Sequence, residues 1–155
     1  MPVVSLVTEV LAEHQPFQLQ RVAAYALVLR RGPGGEEVLL TRNSVRGPHP
    51  GQWTLPGGGI DHGEEPRETV VREVMEETGL ACTPGQVLEV GSTHFEGTAP
   101  SGRREDFHAL QIVIAAEVAD GEPRVLESGG TTDAAAWVPV SALGGWKVVT
   151  VDYRM

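Results

Sequence analysis

Three consecutive glycines lie shortly before a predicted helix near the middle of the chain. The sequence from Gly57 to Leu80 reads GGGIDHGEEPRETVVREVMEETGL. Pro66 suits the first turn of a helix, and Gly79 suits the position just past its last turn. We therefore predict a helix over Pro66–Thr78 that follows a glycine-rich loop.

The predicted helix has an acidic face and an apolar face. At about 100° per residue, the apolar face, which can pack on a sheet, contains Val70, Val71, Val74, Met75 and Thr78. Glu73, Glu76 and Glu77 gather on nearly the opposite side. Glu76 and Glu77 follow Glu73 by three and four residues, spacings at which like charges repel one another. They also lie toward the C-terminal end, where the helix dipole disfavours negative charge. Arg72, four residues from both Glu68 and Glu76, can relieve part of this repulsion.

Two interpretations of the acidic face remain open at this point. One is a solvated helix face that a single arginine stabilises. The other is a metal site, because carboxylate oxygens are the ligands of hard cations such as Mg²⁺, which keep waters and substrate phosphates as their other ligands. The adjacent glycine loop, which has no obvious structural need for so much bare backbone, favours the metal site.

Strands dominate the remainder of the sequence. A mixture of strands with one strong helix predicts an α/β sandwich around a mixed sheet rather than a regular βαβ repeat. Residues 1–20 and the tail from Trp146 to Met155 are ambiguous between helix and strand. The predicted strands are Arg21–Arg31, Val38–Asn43 as its hairpin partner, a short one around Trp53–Leu55, Gln86–Glu96, His108–Val118 and Ala134–Val140, and a short helix is expected to start near Pro139.

Composition limits the classes of protein that this chain can represent. Its 155 residues, 41% hydrophobic and 21% charged, suit one globular domain. The formal charge of −9 argues against a duplex-DNA binder. It allows a phosphate-bearing substrate, since a divalent cation can reverse the local sign. The single cysteine, Cys82, rules out an internal disulfide. No secretion signal or membrane-length apolar run is visible, so we expect a cytoplasmic protein that binds no membrane.

The central segment resembles the Nudix box. That pattern is G, five residues, E, seven residues, R-E-U-x-E-E-x-G-U, where U is aliphatic. The resemblance also has a wider context, with WTLPGGG before the box and WVPV well after it, across roughly residues 21–143. Every fixed position matches over residues 58–80, through Gly58, Glu64, Arg72, Glu73, Val74, Glu76, Glu77, Gly79 and Leu80.

The resemblance implies a fold, a reaction and a set of functional residues. Nudix proteins, which include MutT-like pyrophosphohydrolases, share an α/β/α sandwich with a central mixed sheet. They hydrolyse a nucleoside diphosphate linked to another moiety, with Mg²⁺ as the usual metal and Mn²⁺ as a substitute. By resemblance, Glu73, Glu76 and Glu77 are metal ligands, Arg72 orients these carboxylates, and Glu64 braces the loop. Gly58 and Gly59 would let the backbone approach the metal or the phosphates.

The residue that takes the proton from the attacking water is left open. Glu73 is the first choice within the box, with Glu76 as its catalytic neighbour. Glu127 lies upstream of WVPV, where some relatives place an additional metal-binding acid, so it is the candidate fourth metal ligand, and an exposed loop acid is the open alternative. The acids outside the box that could act as the base are Glu96, Glu105, Asp106, Glu127 and Asp133.

Several alternatives stay open from the sequence. A Nudix-fold binding or regulatory module without catalysis is the second functional hypothesis. The substrate could be a nucleotide sugar, a nucleoside triphosphate or a dinucleoside polyphosphate. His94 and His108 lie at strand positions, where either packing or substrate contact would fit. We expect one Nudix domain over residues 1–155, with residues 1–20 as a candidate N-terminal extension. We expect a small-molecule nucleotide substrate and no stable nucleic-acid partner. The sequence is compatible with a homodimer.

Overall fold

The structure is a computed structural model that describes Val7, Val10, residues 15–47 and residues 49–145. The sequence predictions for most of residues 1–14 and for the tail 146–155 therefore lie outside the described residues. Within the part that the structure describes, no helix is both long and apolar enough to cross a membrane.

The described chain contains a set of strands around one α-helix. The helix has the predicted bounds, whereas most strands extend beyond the predicted ones. The elements are β1 (Phe17–Gly32), β2 (Gly35–Asn43), β3 (Trp53–Thr54), β4 (Gly57–Gly59), α1 (Pro66–Thr78), β5 (Cys82–Thr98), β6 (Arg104–Val118), β7 (Thr132–Pro139) and a 3₁₀ helix (Val140–Gly145).

The strands form a mixed sheet in the order β3-β2-β1-β6-β5, with β4 also paired to β1 and β7 to β2. β1 and β6 run parallel, whereas β1 and β2 form an antiparallel hairpin and β5 pairs antiparallel with β6. The prediction of an α/β fold with a central mixed sheet is confirmed. Across residues 15–47 and 49–145, α1 is the one α-helix and forms one of the two helical layers that an α/β/α sandwich would have.

The core lies between α1 and one face of the sheet. Ala24, Ala26 and Val28 alternate along β1 and are buried against Val70 and Val74 of the helix. Each of the valine side chains contributes roughly 1.5 to 3 kcal/mol when it is fully buried. The register of this packing fixes which way the opposite face of the helix points.

The prediction of the apolar helix face was partly wrong. Val71 and Met75 are 39% and 38% exposed, while Thr69 and Glu77 are buried. The helix is therefore rotated toward Glu77 relative to the face that hydrophobicity indicates. Hydrogen bonds to the Glu77 carboxylate, described below, offset the cost of burying it.

Both ends of α1 are fixed by local contacts. The Glu65 carboxylate accepts hydrogen bonds from the Arg67 amide, at 3.0 Å, and from the Glu68 amide. The Glu68 carboxylate accepts one from the Glu65 amide at 3.2 Å, which completes a capping box. At the other end, Gly79 has a left-handed conformation with φ of 71°. The helix therefore stops where glycine relieves the strain of that conformation.

Candidate active site

The glycine run is a strand, not the loop that the sequence indicated. Gly57, Gly58 and Gly59 form β4, which pairs antiparallel with Tyr25, Ala24 and Ala23 of β1. Glycine is depleted in strands and has no side chain to produce an alternating pattern, so sequence periodicity gives no strand signal here. The pairing places the glycines in the sheet directly beside helix α1.

Each of the three glycines leaves space that a Cβ atom would fill. A Cβ at Gly57, whose φ is 154°, would lie 2.2 Å from the carbonyl oxygen of Ala24. At Gly58 it would lie 2.7 Å from Oε1 of Glu73, and at Gly59 it would lie 3.0 Å from Nη2 of Arg21. Gly57 therefore permits the strand pairing, and the other two make room for charged side chains.

Glu77 is buried where α1 meets β4. Its Oε1 accepts a hydrogen bond from the amide of Gly57 at 2.8 Å. Its Oε2 accepts one from the hydroxyl of Thr132 on β7. Burial raises the pKa of Glu77 to about 8, although these two hydrogen bonds favour the charged form. No local pattern in the sequence identified Thr132, because it lies 55 residues from Glu77.

Arg72 joins the helix to the loop that precedes it. Its Nε and Nη2 donate to the two carboxylate oxygens of Glu64, each at 2.9 Å. Hydrogen bonds from Arg72 and then from Thr69 hold the pKa of Glu64 at about 2, well below its usual range. The expected bracing role of Glu64 thus has a direct structural basis. Glu68 caps the helix instead of pairing with Arg72.

The same guanidinium also reaches the acidic cluster. Nη1 of Arg72 donates to Oε1 of Glu73 at 2.9 Å and lies 3.5 Å from Oε2 of Glu76. Nη2 lies 3.5 Å from Oδ2 of Asp61 and donates to the Gly59 carbonyl at 3.3 Å. One cation therefore contacts four carboxylates, counting Glu64, and the site keeps an excess of negative charge.

Glu73 and Glu76 differ in exposure although they share Arg72. The Glu73 side chain is 16% exposed, and that of Glu76 is 39% exposed. Burial raises the pKa of Glu73, Arg72 lowers it, and the charges of Glu76 and Glu127 raise it again. The amide of Glu127 also donates to the carbonyl of Glu76 at 3.2 Å. The structure therefore brings Glu127 to the cluster.

The other acids that the sequence offered as bases make different contacts. Each lies beside a basic side chain, and three of the four belong to β5 or β6. The pairs are Glu96 with Arg104, Glu105 with Arg103, Asp106 with His94, and Asp133 with Arg42. Within residues 15–47 and 49–145, no group of three or more His, Cys, Asp or Glu side chains is arranged to hold a metal ion.

A cavity of about 670 Å³ opens beside Glu73. Its wall includes backbone of β4, the start of the loop before α1, and the N-terminal half of β1. This volume lies within the range of small-molecule sites in proteins. The lining residues are Gln20, Arg21, Val22, Gly59, Ile60, Asp61, His62 and Glu73.

The chain belongs to the NUDIX family. The sequence profile of that family, described as NUDIX domain, matches residues 19–154. The match includes the helix, the glycine strand and every acid of the cluster described above. The prediction of a Nudix, MutT-like family from the central segment is therefore confirmed.

Comparisons with individual proteins agree with this assignment. A stretch of 99 residues is 35% identical to the Bacillus subtilis protein named putative ADP-ribose pyrophosphatase YjhB, and covers 64% of this chain and 44% of that protein. Another, of 95 residues, is 32% identical to the Escherichia coli nucleoside triphosphatase NudI, and covers 60% of this chain and 67% of NudI. The match thus spans less than half the length of the Bacillus relative.

A solved structure shows the same architecture. The crystal structure of the MutT NUDIX hydrolase from Burkholderia pseudomallei superposes with a TM-score of 0.59 at 32% sequence identity. The alignment covers 77% of this chain and 83% of that one. The mixed sheet with its helix is therefore the α/β fold of Nudix proteins.

Proposed function

We propose that this chain hydrolyses a nucleoside diphosphate linked to another moiety, with Mg²⁺ or Mn²⁺ as cofactor. The observation that carries the proposal is the placement of Glu73, Glu76 and Glu77 on one helix, against a glycine strand whose amide binds Glu77. Family membership supports the reaction class. The names of the relatives, an ADP-ribose pyrophosphatase and a nucleoside triphosphatase, point to the same chemistry.

The chemical type of these donors fits a hard divalent cation, although the described side chains are not gathered into a ready metal-binding group, so a cation would have to draw the carboxylates together. Carboxylate oxygens are its preferred ligands, and a single guanidinium leaves these carboxylates with excess negative charge. The raised pKa values of Glu73 and Glu77 have burial as their main cause, and neighbouring carboxylates add to it. A bound cation would favour the ionised form of both. It would also neutralise phosphate oxygens in this acidic site, lower the pKa of a bound water and stabilise charge on the transferring phosphoryl group.

The protein side chains take separate roles in this proposal. Glu73, Glu76, Glu77 and Glu127 hold the cation. To do so, Glu73 and Glu76 must share their oxygens with Arg72, which they contact in the structure. Arg72 keeps both carboxylates oriented.

The proposed site also needs room for the phosphates and a base for the attacking water. Gly58 and Gly59 let the backbone approach the phosphates, since neither carries a side chain. Glu73 takes the proton from the attacking water, because its carboxylate lines the cavity in which the substrate would lie beside the cation. The water oxygen bonds to phosphorus, the bridging P–O bond breaks, and the products are a nucleoside monophosphate and the phosphorylated second moiety.

The test is a panel of nucleotides assayed with Mg²⁺ and Mn²⁺. Hydrolysis in ¹⁸O-labelled water should leave one labelled oxygen on a product phosphate. Glu76→Gln should lose most of the turnover, whereas Glu89→Gln, an exposed strand position outside the box, should keep it. A wild-type protein that binds these nucleotides with Mg²⁺ but cleaves none would establish the non-catalytic binding module instead.

A further inference from the structure

A second cavity, of about 610 Å³, lies on the sheet beyond the Nudix box. Its volume is in the range of small-molecule sites. None of the residues around it belongs to the box, and the proposed hydrolysis uses none of them. The lining residues are Gln18, Leu19, Gln20, His94, Asp106 and His108.

Strand register places these polar side chains together. Gln20 of β1 stands opposite His108 of β6, and His108 stands opposite His94 of β5. Gln18 stands opposite Asp106 in the neighbouring row. Because opposed residues on paired strands share a face, these five side chains form one polar strip across three strands.

Hydrogen bonds order this polar strip. His108 contacts Gln20 through Nδ1 at 2.9 Å and Ser92 through Nε2 at 2.9 Å. His94 contacts Asp106 through Nε2. The rings of His94 and His108 meet edge to face at 5.7 Å between centroids. Both histidines are therefore held in place before any ligand arrives.

The chemistry of the polar strip suits hydroxyl groups better than phosphates. Side-chain amides and neutral imidazoles both donate and accept hydrogen bonds, and a carboxylate accepts them, which together matches a sugar hydroxyl. Among the described residues, no lysine or arginine lines this cavity. Two arginines around the start of β6 pair with acids, Arg103 with Glu105 and Arg104 with Glu96. A phosphate would meet the Asp106 carboxylate with no lysine or arginine among the described lining residues to compensate.

The two cavities have Gln20 in common. Gln20 also lines the cavity that contains Glu73, Gly59 and Arg21. A molecule with its diphosphate beside Glu73 can therefore extend past Gln20 onto the polar strip. Arg21, on the side of Glu73, supplies positive charge where the phosphates would lie.

We propose that the polar strip binds the second moiety of the substrate, and that this moiety is an uncharged, hydroxyl-bearing group such as a sugar. The inference rests on the proposed hydrolysis and narrows its substrate to nucleoside diphosphate sugars. Nucleoside triphosphates place a phosphate, not a hydroxylated group, beyond the diphosphate. They should therefore be poorer substrates than nucleoside diphosphate sugars with the same base.

The kinetic test compares pairs of compounds that share a nucleoside. The pairs are ADP-ribose with ATP, UDP-glucose with UTP, and GDP-mannose with GTP, all with Mg²⁺. We expect at least one sugar compound to exceed its triphosphate tenfold in kcat/KM. The double variant His94→Ala/His108→Ala, at two residues that line only the second cavity, should lose at least tenfold on that compound and less than twofold on the triphosphate. Gln86→Ala, an exposed glutamine of β5 outside the cavity, is the matched control and should change neither.

The outcomes separate this inference from the proposed function. Preference for the triphosphate in every pair, or equal losses on both members in the double variant, overturns the inference and leaves the hydrolase intact. Hydrolysis of no member of any pair overturns both.

A binding measurement does not depend on turnover. The ring ¹H–¹³C NMR signals of His94 and His108 should shift with an ADP-ribose analogue whose bridging oxygen is a methylene. They should stay in place with α,β-methylene-ADP, which lacks the second ribose. Equal shifts with both analogues, or shifts with neither, contradict the polar strip as the site of the second moiety.

Discussion

The backbone amide of Gly57 donates a 2.8 Å hydrogen bond to Oε1 of Glu77 and so joins the glycine strand to the last turn of α1. Thr132 donates to the other oxygen of the same carboxylate. This places a buried acid between three elements, with donors but no partner cation in direct contact among the described residues. Its protonation state is therefore coupled to the stability of the fold.

The stability of the metal-free protein should decrease as the pH rises. Glu77 has an ordinary pKa of 4.5 and a folded-state pKa of about 8. Between these values the folded protein retains a proton that the unfolded chain releases, so the free energy of unfolding declines across this window. One pKa unit corresponds to about 1.4 kcal/mol, which limits the decline to a few kcal/mol. Thermal unfolding in EDTA between pH 5 and 8.5 measures it.

Glu77→Gln should flatten that pH profile. Glutamine keeps an oxygen that can accept from the Gly57 amide, and it does not titrate. Glu89→Gln, at an exposed position of β5, is the matched control and should keep the wild-type slope. A slope that survives in Glu77→Gln would assign the decline to another group.

Mg²⁺ should raise the melting temperature, and Glu76→Gln should reduce the rise. A ligand at ten times its Kd stabilises a protein by about 1.4 kcal/mol, which corresponds to roughly 3 to 5 °C for a domain of this size. Because the Glu76 side chain is 39% exposed, its substitution should change the metal-free melting temperature little. Calorimetry with and without Mg²⁺ gives both values. Equal rises in the variant and the wild type would remove Glu76 from the cation site.

Gly57→Ala should destabilise the protein by about 2 to 5 kcal/mol, from overpacking and backbone strain together. The new Cβ would lie 2.2 Å from the Ala24 carbonyl oxygen, on a backbone with φ of 154°. Gly34→Ala is the control, because nothing lies within 4 Å of a Cβ at that turn position. It should change the free energy of unfolding by no more than about 0.5 kcal/mol. Urea denaturation of both variants measures the free energy of unfolding. Similar decreases in the two variants would contradict the close packing of β4.

Arg72→Lys should weaken Mg²⁺ binding and turnover by about 10- to 100-fold. Lysine presents one ammonium and cannot bind both oxygens of Glu64 while also contacting Glu73. Arg67→Lys is the control on the same helix, where the side chain reaches the Gly85 carbonyl instead. Calorimetric titration of Mg²⁺ and steady-state kinetics measure the two effects. Full activity in Arg72→Lys would show that a positive charge at this position is sufficient and that the guanidinium geometry is not needed.

The sequence predicted the parts of the fold whose signals are local. Pro66 and Gly79 marked the ends of α1, and the apolar-rich segments Arg21–Arg31 and His108–Val118 were predicted as strands and lie in β1 and β6. The glycine strand was missed, because its pairing depends on the backbone of β1 and not on side chains. The rotation of α1 was missed because hydrophobicity alone places Glu77 on the solvent side. Thr132 and the polar strip depend on contacts between distant strands, which spacing along one chain does not reveal.

The pairing of β4 with β1 has a consequence for protein engineering. The acidic helix is held by a strand that consists only of backbone, and that strand needs Ala23, Ala24 and Tyr25 beside it. The 23-residue motif is therefore not sufficient to form this arrangement outside its own sheet. A transplant of residues 58–80 into another scaffold would have to carry the matching half of β1, or the glutamates would lose the surface that orients them.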